Sequence, residues 1–399
     1  MTSIVLLILT LAAGLPVLVL VTQVTVACAA RRSITARRTE PGQSIGIPYA
    51  ILVPAHNEAS GISPVLQKIL SAMPESGHLL VVADNCSDNT AQLARQAGAE
   101  VIERFNEQLR GKGYALDFGI RHLAGNPPAV VIIIDADCDV STDALQILLS
   151  TCQHTGRPVQ ASYLMHAPSN SGVGMKLAEF AWLLKNEIRP LGMYSLGLPC
   201  QLTGTGMAFP WHLIATSHLA TGELVEDMQL GIDLAKQGFP PVFEPAARVT
   251  SVFPTRVAAQ DSQRTRWEHG HLGMIIGKMP GLLFAGLQGF DWPIIAMALD
   301  LAIPPLALLA AVLTGIFVTD LIAQLAGLTN HLALTFALLN LLLFLFAILA
   351  AWQNWARQTL PLTSLFYIPI YILRKIPRYF RFLTNREHNW IRTNRGNDK

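Results

Sequence analysis

The stretch Val131–Val140, VIIIDADCDV, decides the prediction of the fold. Its first half, residues 131–134, is β-branched throughout and predicts a strand buried on both faces of a parallel sheet. Its second half brings three carboxylates, Asp135, Asp137 and Asp139, within five positions. Carboxylates this close repel one another unless positive charge lies among them. The stretch therefore predicts an α/β domain with a charged binding site at the end of this strand.

The sequence around this strand repeats the same organisation. From Gly42 to about Pro254, short apolar runs alternate with helical stretches, which is the pattern of an α/β domain. We expect strands over Tyr49–Val53, Leu79–Ala83, Glu100–Ile102, Ala129–Ile134 and Val159–Tyr163, and helices over Pro64–Met73, Thr90–Ala97 and Tyr114–Leu123.

The composition indicates that part of the chain lies in lipid. Hydrophobic residues make up 51% of the 399 residues and charged residues only 14%, whereas soluble domains average about 25% charged residues. The net charge of +2, with no basic stripe, argues against nucleic acid as a partner. The five cysteines are scattered and contain no CxxC pair, which argues against a disulfide framework and a zinc site.

Three hydrophobic segments are long enough to cross a bilayer. The first, Ile4 to Ala30, carries no charge and is followed by basic residues from Arg31 onward, which favours a retained signal anchor and a cytoplasmic domain after it. The other two begin near Leu301 and His331. The spans lack paired charges, which argues against a transporter.

The apolar segment Pro361–Leu373 precedes a basic tail, so we expect an interfacial helix on the cytoplasmic face rather than a fourth crossing. The expected organisation is a transmembrane helix over 1–30, a basic linker over 31–47, the α/β domain over 48–269, a membrane-proximal interfacial segment over 270–299, two transmembrane helices over 300–355, and an interfacial helix with a basic tail over 356–399.

Polar residues follow three of the predicted strands, where sheets of this kind bind ligands. One polar strand end could be a helix cap, but three at one edge of a sheet predict a binding site. The three segments are Pro54-Ala55-His56-Asn57-Glu58, Asp84-Asn85-Cys86-Ser87-Asp88 and Asp135-Ala136-Asp137-Cys138-Asp139.

The carboxylates after the buried strand suit a hard divalent cation. Asp135 and Asp137 offer oxygen ligands of the kind that Mg²⁺ or Mn²⁺ prefers, and such ions also bind phosphate oxygens. Gly111-Lys112-Gly113 adds a loop whose backbone could approach phosphates, with Lys112 as a point charge. A cation and a diphosphate would together explain the repelling carboxylates.

Two further segments have two interpretations each. Glu226 and Asp227 start an amphipathic helix, where they either complement the helix dipole or include a general base. Gln263-Arg-Thr-Arg266-Trp267 is either a juxtamembrane anchor or a site in which Arg266 pairs with diphosphate and Trp267 faces a sugar.

With these motifs, the chain resembles the membrane-bound family 2 inverting glycosyltransferases, which have the GT-A fold and are related to cellulose, chitin and hyaluronan synthases. The resemblance covers roughly Pro48 to Trp267. Among the branches of the family, the chain looks most like the bacterial exopolysaccharide glycosyltransferases, and its tail Trp390-Ile-Arg-Thr-Asn-Arg395 contributes to this likeness. It implies that the segment Pro54 to Glu58 and Asp84 contact uridine, that Asp135 contacts the nucleotide, and that Asp137 binds the metal. It also implies that Thr203, Gly204 and Thr205 form the acceptor-side loop and that Asp227, beside Glu226, is the general base. Gln263, Arg266 and Trp267 match the QxxRW motif of the family.

Two features depart from the family pattern. Some relatives carry a histidine metal ligand directly after the DxD motif, where this chain has Cys138, so we do not assign Cys138 to the metal. Well-studied polymerising synthases also have more membrane helices than the three expected here, which favours addition of one sugar per encounter over unaided polymerisation. The QxxRW motif, by contrast, favours processive synthesis.

The resemblance implies a multi-pass enzyme of the bacterial inner (cytoplasmic) membrane. It would transfer a sugar from a nucleotide-sugar donor, a UDP-sugar, to a growing glycan or a polyprenyl-linked acceptor. Other exopolysaccharide assembly proteins would be its partners. The alternatives are a processive β-polysaccharide synthase and a non-enzymatic nucleotide-sugar-binding membrane scaffold.

Overall fold

The computed structural model of the chain describes residues 2–36, 46–329 and 331–384. Most of the expected basic linker and the tail from residue 385, with its motif at Trp390–Arg395, lie outside the described residues. The described chain forms two compact units. One contains residues 46–168 and 198–270, and the other contains residues 2–34, Ser169–Gly197 and the described residues from 271 onward.

The first unit is built on one mixed eight-stranded sheet with the order β3-β2-β1-β4-β7-β6-β8-β5. The strands are β1 (Tyr49–Ala55), β2 (Gly77–Asp84), β3 (Glu100–Arg104), β4 (Val130–Ile133), β5 (Asp139–Val140), β6 (Val159–His166), β7 (Met207–Pro210) and β8 (Val242–Val252). β1 pairs in parallel with β2 and β4, and β2 pairs in parallel with β3. β7 is antiparallel to β4 and β6.

Helices cover the sheet and build the second unit. They are α1 (Thr2–Ala36), α2 (Ile62–Ala72), α3 (Thr90–Gln96), α4 (Lys112–Leu123), α5 (Ala144–Thr155), α6 (Val173–Leu183), α7 (Arg189–Ser195), α8 (Trp211–Ile214), α9 (Glu226–Lys236), α10 (Val257–Gly277), α11 (Met279–Gly289), α12 (Trp292–Leu301), α13 (Leu306–Leu325), α14 (His331–Ala351), α15 (Leu362–Leu365) and α16 (Ile368–Thr384). Short π-helical turns follow α6 at Leu184–Ile188 and α14 at Trp352–Ala356.

The predicted α/β fold is confirmed, and its core explains the apolar strand sequences. Leu52, Leu80, Val131 and Phe209 from four strands are fully buried in one cluster with residues of α4 and α9. Because β1, β2, β3 and β4 are parallel, their carboxyl ends lie at one edge of the sheet. This edge is where the polar segments after β1, β2 and β4 meet.

The second unit contains three helices long and apolar enough to cross a membrane: Ser3–Arg31, Leu306–Leu325 and His331–Ala356. These match the three expected segments. The helices Ala259–Gly277 and Met279–Gly289 together would make a fourth candidate, bent by 43°. The interfacial position expected for residues 270–299 therefore stays a prediction.

A polar layer links the three candidate spans. The Thr10 hydroxyl in α1 shares its hydrogen between Asp320 Oδ2 in α13, at 2.9 Å, and the Leu6 carbonyl of its own helix, at 2.8 Å. The Asn340 amide in α14 donates to the Thr10 carbonyl at 2.9 Å. Asp320 is fully buried. In lipid, apolar side chains contact lipid tails as favourably as they contact another helix, so hydrogen bonds of this kind help to hold neighbouring helices together.

Asp300 lies in the short helix α12, outside the three candidate spans, and it belongs to a buried charge pair. Its carboxylate pairs with Arg189 of α7 at 2.7 Å and accepts from Gln23 of α1 at 2.8 Å. Sequence reasoning counted Arg189 within the α/β domain, whereas Ser169–Gly197 groups with the apolar helices. A buried acid requires a partner, and here the partner is more than 100 residues away in the chain.

The segment after the spans forms α15 and α16 instead of one helix over Pro361–Leu373. Tyr379 and Phe382 of α16 pack with Leu272 and Ala307 in a small apolar cluster. Leu373 and Phe380, 64% and 63% exposed, remain on the outer surface of the helix. Its position at a membrane interface stays a prediction.

Candidate active site

The loops after β1 and β2 are joined by hydrogen bonds. His56 Nδ1 lies 2.6 Å from the carbonyl oxygen of Asp84, and the Asn57 side chain accepts from the Ser87 amide at 2.7 Å. The Glu58 amide donates to the Thr90 hydroxyl at 2.8 Å. Pro54 and Ala55 lie within β1 itself. The two predicted segments therefore form one rigid part of the sheet edge.

Asp84 has a cationic partner that sequence reasoning missed. Arg104, at the end of β3, donates to Asp84 Oδ1 at 2.6 Å, and both side chains are nearly buried. The guanidinium also lies 5.6 Å from the centre of the Tyr114 ring. No residue pattern marks Arg104 as special, because an arginine that ends an edge strand is ordinarily a solvated residue.

The acidic strand end gathers the predicted metal ligands. Ligand atoms of Asp135, Asp137 and Cys138 lie within 4.8 Å of one another. Burial, followed by the charge of Asp135, raises the pKa of the Cys138 thiol to about 12. Sulfur is a soft donor that suits Mg²⁺ or Mn²⁺ poorly, whereas the oxygens of the two carboxylates suit these hard cations well.

Lys112 connects this strand end to the loop at Gly204. Its Nζ pairs with Asp135 and donates to the Gly204 carbonyl at 2.6 Å. Burial opposes the charged form, but Asp135, Glu226 and Asp227 outweigh burial and raise the pKa of Lys112. Lys112 is therefore protonated, and it supplies positive charge among the carboxylates.

Glu226 and Asp227 occupy the first turn of α9, as predicted. A Cβ added at Gly204 would lie 3.3 Å from Asp227 Oδ2 and 3.7 Å from Lys112 Nζ. Burial, and then the charge of Asp227, raises the pKa of Glu226 to about 7, although Lys112 and Arg266 act in the opposite direction. The acidic pair thus faces both the lysine and the loop.

Gln263, Arg266 and Trp267 lie within α10, where spacings of three and four residues place them on one face. α10 approaches the residues before α9 closely at Gly270, whose added Cβ would lie 2.7 Å from Val225 Cγ1. This close approach brings Arg266 near Glu226.

Two polar atoms at the predicted site are buried without a hydrogen-bond partner. They are Oγ1 of Thr203 and Oε1 of Gln263. A buried polar atom without a partner costs about 1–3 kcal/mol. A bound polar ligand such as a sugar or a diphosphate would offset this cost.

The structure therefore brings together Lys112, Asp135, Gly204, Glu226 and Asp227, which come from four separate segments of the chain. Sequence reasoning missed Gln160, a buried glutamine that contacts the loop at Gly204. The available signal was a polar residue at a buried position of a predicted strand.

The chain is similar to known proteins of Staphylococcus. Poly-beta-1,6-N-acetyl-D-glucosamine synthase of Staphylococcus aureus (strain COL) is 24% identical over 224 residues, which are 55% of this chain and 53% of that protein. 4,4'-diaponeurosporenoate glycosyltransferase of Staphylococcus haemolyticus (strain JCSC1435) is 29% identical over 120 residues, 29% of this chain and 30% of that protein. The chain thus spans about half the length of the first relative and less of the second.

Comparison with solved structures supports the GT-A fold. The mannosyltransferase PcManGT from Pyrobaculum calidifontis, solved with GDP-Man and Mn²⁺, superimposes with a TM-score of 0.57 at 16% identity, over 95% of this chain and 100% of that one. The model of the glycosyltransferase-like family 2 matches residues 47–270. Because this match covers more than half of the chain, the chain belongs to the glycosyltransferase-like family 2.

Proposed function

We propose that the chain is a membrane glycosyltransferase that moves a sugar from a nucleotide sugar, UDP-linked, to a glycan or polyprenyl-linked acceptor with inversion. The observation that carries the proposal is the position of Lys112. Its Nζ pairs with Asp135 and donates to the carbonyl of Gly204, next to Asp227. One cation thus connects the acidic strand end to the carboxylate proposed as the base.

The donor would bind at the carboxyl edge of the parallel strands. We assign the diphosphate to Lys112 and Arg266, and the sugar to the side of Trp267. The remaining donor contacts in this proposal are Pro54, Ala55, His56, Asn57, Glu58, Asp84, Asp135, Asp137 and Gln263.

The residues fit a divalent cation. Asp137 would hold Mg²⁺ or Mn²⁺ through carboxylate oxygen, with Asp135 beside it. The bound ion would supply positive charge to the diphosphate leaving group. Cys138 is left out of the proposed ligand set, because its sulfur is a softer donor than carboxylate oxygen.

The proposed reaction is a single in-line displacement. Asp227 accepts the proton of an acceptor hydroxyl while the hydroxyl oxygen forms a bond to the anomeric carbon. The bond from that carbon to the diphosphate breaks, and Lys112 and Arg266 stabilise the developing charge. An α-linked donor would give a β-linked product.

Glu226 would assist Asp227 without replacing it. With a pKa of about 7, Glu226 carries a proton on part of the molecules at neutral pH. Glu226 and Asp227 together then carry less negative charge, which lowers their electrostatic repulsion of the anionic donor.

The acceptor side of the proposal comprises Thr203, Gly204, Thr205 and Trp267. The unpartnered hydroxyl of Thr203 supports this placement, because a sugar hydroxyl could satisfy it. The three apolar helices support a position in a membrane. We propose that the chain crosses a bacterial inner membrane several times with its α/β domain in the cytoplasm, because basic residues follow the first apolar helix. Other exopolysaccharide assembly proteins would be partners.

A processive β-polysaccharide synthase is the second candidate. The similarity to a poly-beta-1,6-N-acetyl-D-glucosamine synthase over 224 residues favours it. We prefer single addition, because three spans, or four with the bent pair, are few to enclose a path for a polar chain.

The test is incubation of the purified enzyme in detergent or nanodiscs with Mn²⁺ and a panel of nucleotide sugars. The proposal expects release of nucleoside diphosphate from one donor class and a product that gains sugar. Uniform extension by one residue under limiting acceptor supports single addition, and long chains beside unused acceptor support the synthase. Nucleotide binding without turnover for every donor and acceptor tested would contradict the proposal and favour the non-enzymatic membrane scaffold.

A further inference from the structure

Gln160 is a buried polar residue in a strand that is otherwise mostly apolar. It lies in β6 between Val159 and Ala161, opposite Met207 of β7, and is 1% exposed. A buried side-chain amide is costly unless its donors and acceptor find partners. The partners of Gln160 show which part of the molecule it serves.

The Gln160 amide is fully engaged with backbone groups. Nε2 donates to the carbonyls of Ala161 and Thr205, each at 2.9 Å, and Oε1 accepts from the amide of Thr203 at 2.8 Å. A backbone N–H can only donate and a carbonyl can only accept, so these partners fix the orientation of the amide. Gln160 therefore binds the chain on both sides of Gly204.

Gly204, held between these two bonds, faces the charged groups of the site. Its φ of +93° lies in the region that favours glycine. Its carbonyl accepts from Lys112, and a Cβ in its place would lie 3.3 Å from Asp227 Oδ2. A shift of this loop would change the gap between lysine and carboxylate.

The same loop also supports the acidic strand end. The Asp135 amide donates to the hydroxyl of Thr205 at 3.0 Å. Gln160 fixes the backbone of Thr205 through its carbonyl. Asp135 also lies just after β4 and pairs with Lys112, so it keeps these two supports when Gln160 is replaced.

We propose that Gln160 is a positioning residue that sets the gap between Asp227 and Lys112 through the loop Thr203–Thr205. This inference rests on the proposed function, since the acceptor hydroxyl would bind in the gap between Asp227 and Lys112. Gln160 touches neither reactant, so its loss lowers turnover and acceptor affinity and leaves the nucleotide site in place. An error of about 1 Å in the placement of reacting groups can cost about 100-fold in rate.

The principal variant is Gln160→Met, which keeps an unbranched side chain of similar length and removes all three hydrogen bonds. Gln160→Glu is the second variant, because it keeps an oxygen for the Thr203 amide and removes both donors. Thr151→Val is the matched control, because it removes a partly buried hydrogen bond from α5 to Glu244 in the same unit and leaves the bonds of Gln160 in place.

Three measurements on the full-length enzyme test the proposal. Hydrogen exchange of the peptide that contains residues 202–206 is expected to rise at least tenfold in Gln160→Met. Sugar transfer is expected to fall about 10- to 100-fold with a raised acceptor KM, while the Kd for UDP with Mn²⁺ stays within about twofold. Thr151→Val is expected to leave all three unchanged.

Unchanged exchange in the loop, or unchanged transfer, would overturn the proposal. A loss of nucleotide affinity equal to the loss of transfer would also overturn it, since it would mean general damage to the site. If Gln160→Met does not fold, Gln160→Glu carries the same comparison. If the wild type transfers no sugar from any donor, the proposed function fails, and the exchange result still decides whether Gln160 holds the loop.

Discussion

Glu226 and Asp227 are neighbouring carboxylates whose charge is balanced by Lys112 and Arg266. The raised pKa of Glu226 means that the folded enzyme keeps a proton that the unfolded chain releases. The window lies between the ordinary value of 4.5 and about 7. Within it the folded state binds more protons, so stability falls as pH rises.

Glu226→Gln, which cannot ionise, is expected to remove this dependence. Relative to the wild type, the variant should gain about 1–3 kcal/mol of stability at pH 8 and little at pH 5. Thermal unfolding at the two pH values in the absence of ligand measures the difference. An equal pH dependence in both proteins would show that Glu226 does not titrate in this window.

The metal assignment gives a second prediction for single residues. Asp137→Ala is expected to weaken UDP binding at least tenfold in Mn²⁺ and to change it little when a chelator is present, because the carboxylate acts through the cation. Isothermal titration measures both conditions.

Cys138→Ser is the matched variant for this experiment, since it changes the neighbouring residue and keeps its size. We expect it to retain most of the nucleotide affinity, because a soft sulfur donor contributes little to binding Mg²⁺ or Mn²⁺. A loss as deep as that of Asp137→Ala would place the sulfur in the coordination shell.

α10 shows how one helix carries a whole motif to the site. Gly270 allows α10 to approach the residues before α9, and Arg266 lies one turn earlier near Glu226. Gly270→Ala would place a Cβ 2.7 Å from Val225 Cγ1. We expect a loss of about 1–3 kcal/mol of stability from this overpacking and a lower rate of transfer.

Gly277→Ala is the control in the same helix, since an added Cβ there meets nothing within 4 Å. It is expected to leave activity unchanged and to be neutral or slightly stabilising, because alanine favours helix more than glycine does. Equal effects of the two substitutions on transfer would contradict the role of the close approach.

The strands near the site were predictable because period and composition act locally. The runs of β1, β2 and β4 are apolar on both faces and end in polar residues, which parallel pairing then aligns at one edge. The partners of the charged groups were not predictable, since Arg104, Gln160 and Arg189 find Asp84, the loop at Gly204 and Asp300 only through tertiary packing.

The extent of the helical segments was also out of reach of local patterns. α10 combines a polar first half with an apolar second half, so it lacks a continuous apolar stripe. Ser169–Gly197 interrupts the α/β unit in sequence, although it belongs to the unit of apolar helices. Composition places such a segment beside its neighbours in the chain, whereas packing decides its partners.

At the scale of the whole molecule, the unit of apolar helices depends on the layer of Thr10, Asp320 and Asn340. Thr10→Val preserves shape and leaves the buried Asp320 Oδ2 without the bond it accepts. We expect a loss of about 1 kcal/mol of stability in detergent, measured by thermal unfolding. Thr319→Val is the control, because the exposed Thr319 hydroxyl donates to the Gly315 carbonyl of its own helix, as the Thr10 hydroxyl does to Leu6. Equal losses would contradict a special role of the layer.

The central claim is that this chain transfers sugar with Asp227 as the base. The most direct measurement compares Asp227→Asn with the wild type in transfer from the active nucleotide sugar, together with the Kd for UDP and Mn²⁺. General-base catalysis contributes about 10²–10⁴-fold, so transfer is predicted to fall at least 100-fold while the Kd stays within about twofold. Near wild-type turnover in Asp227→Asn would contradict the account.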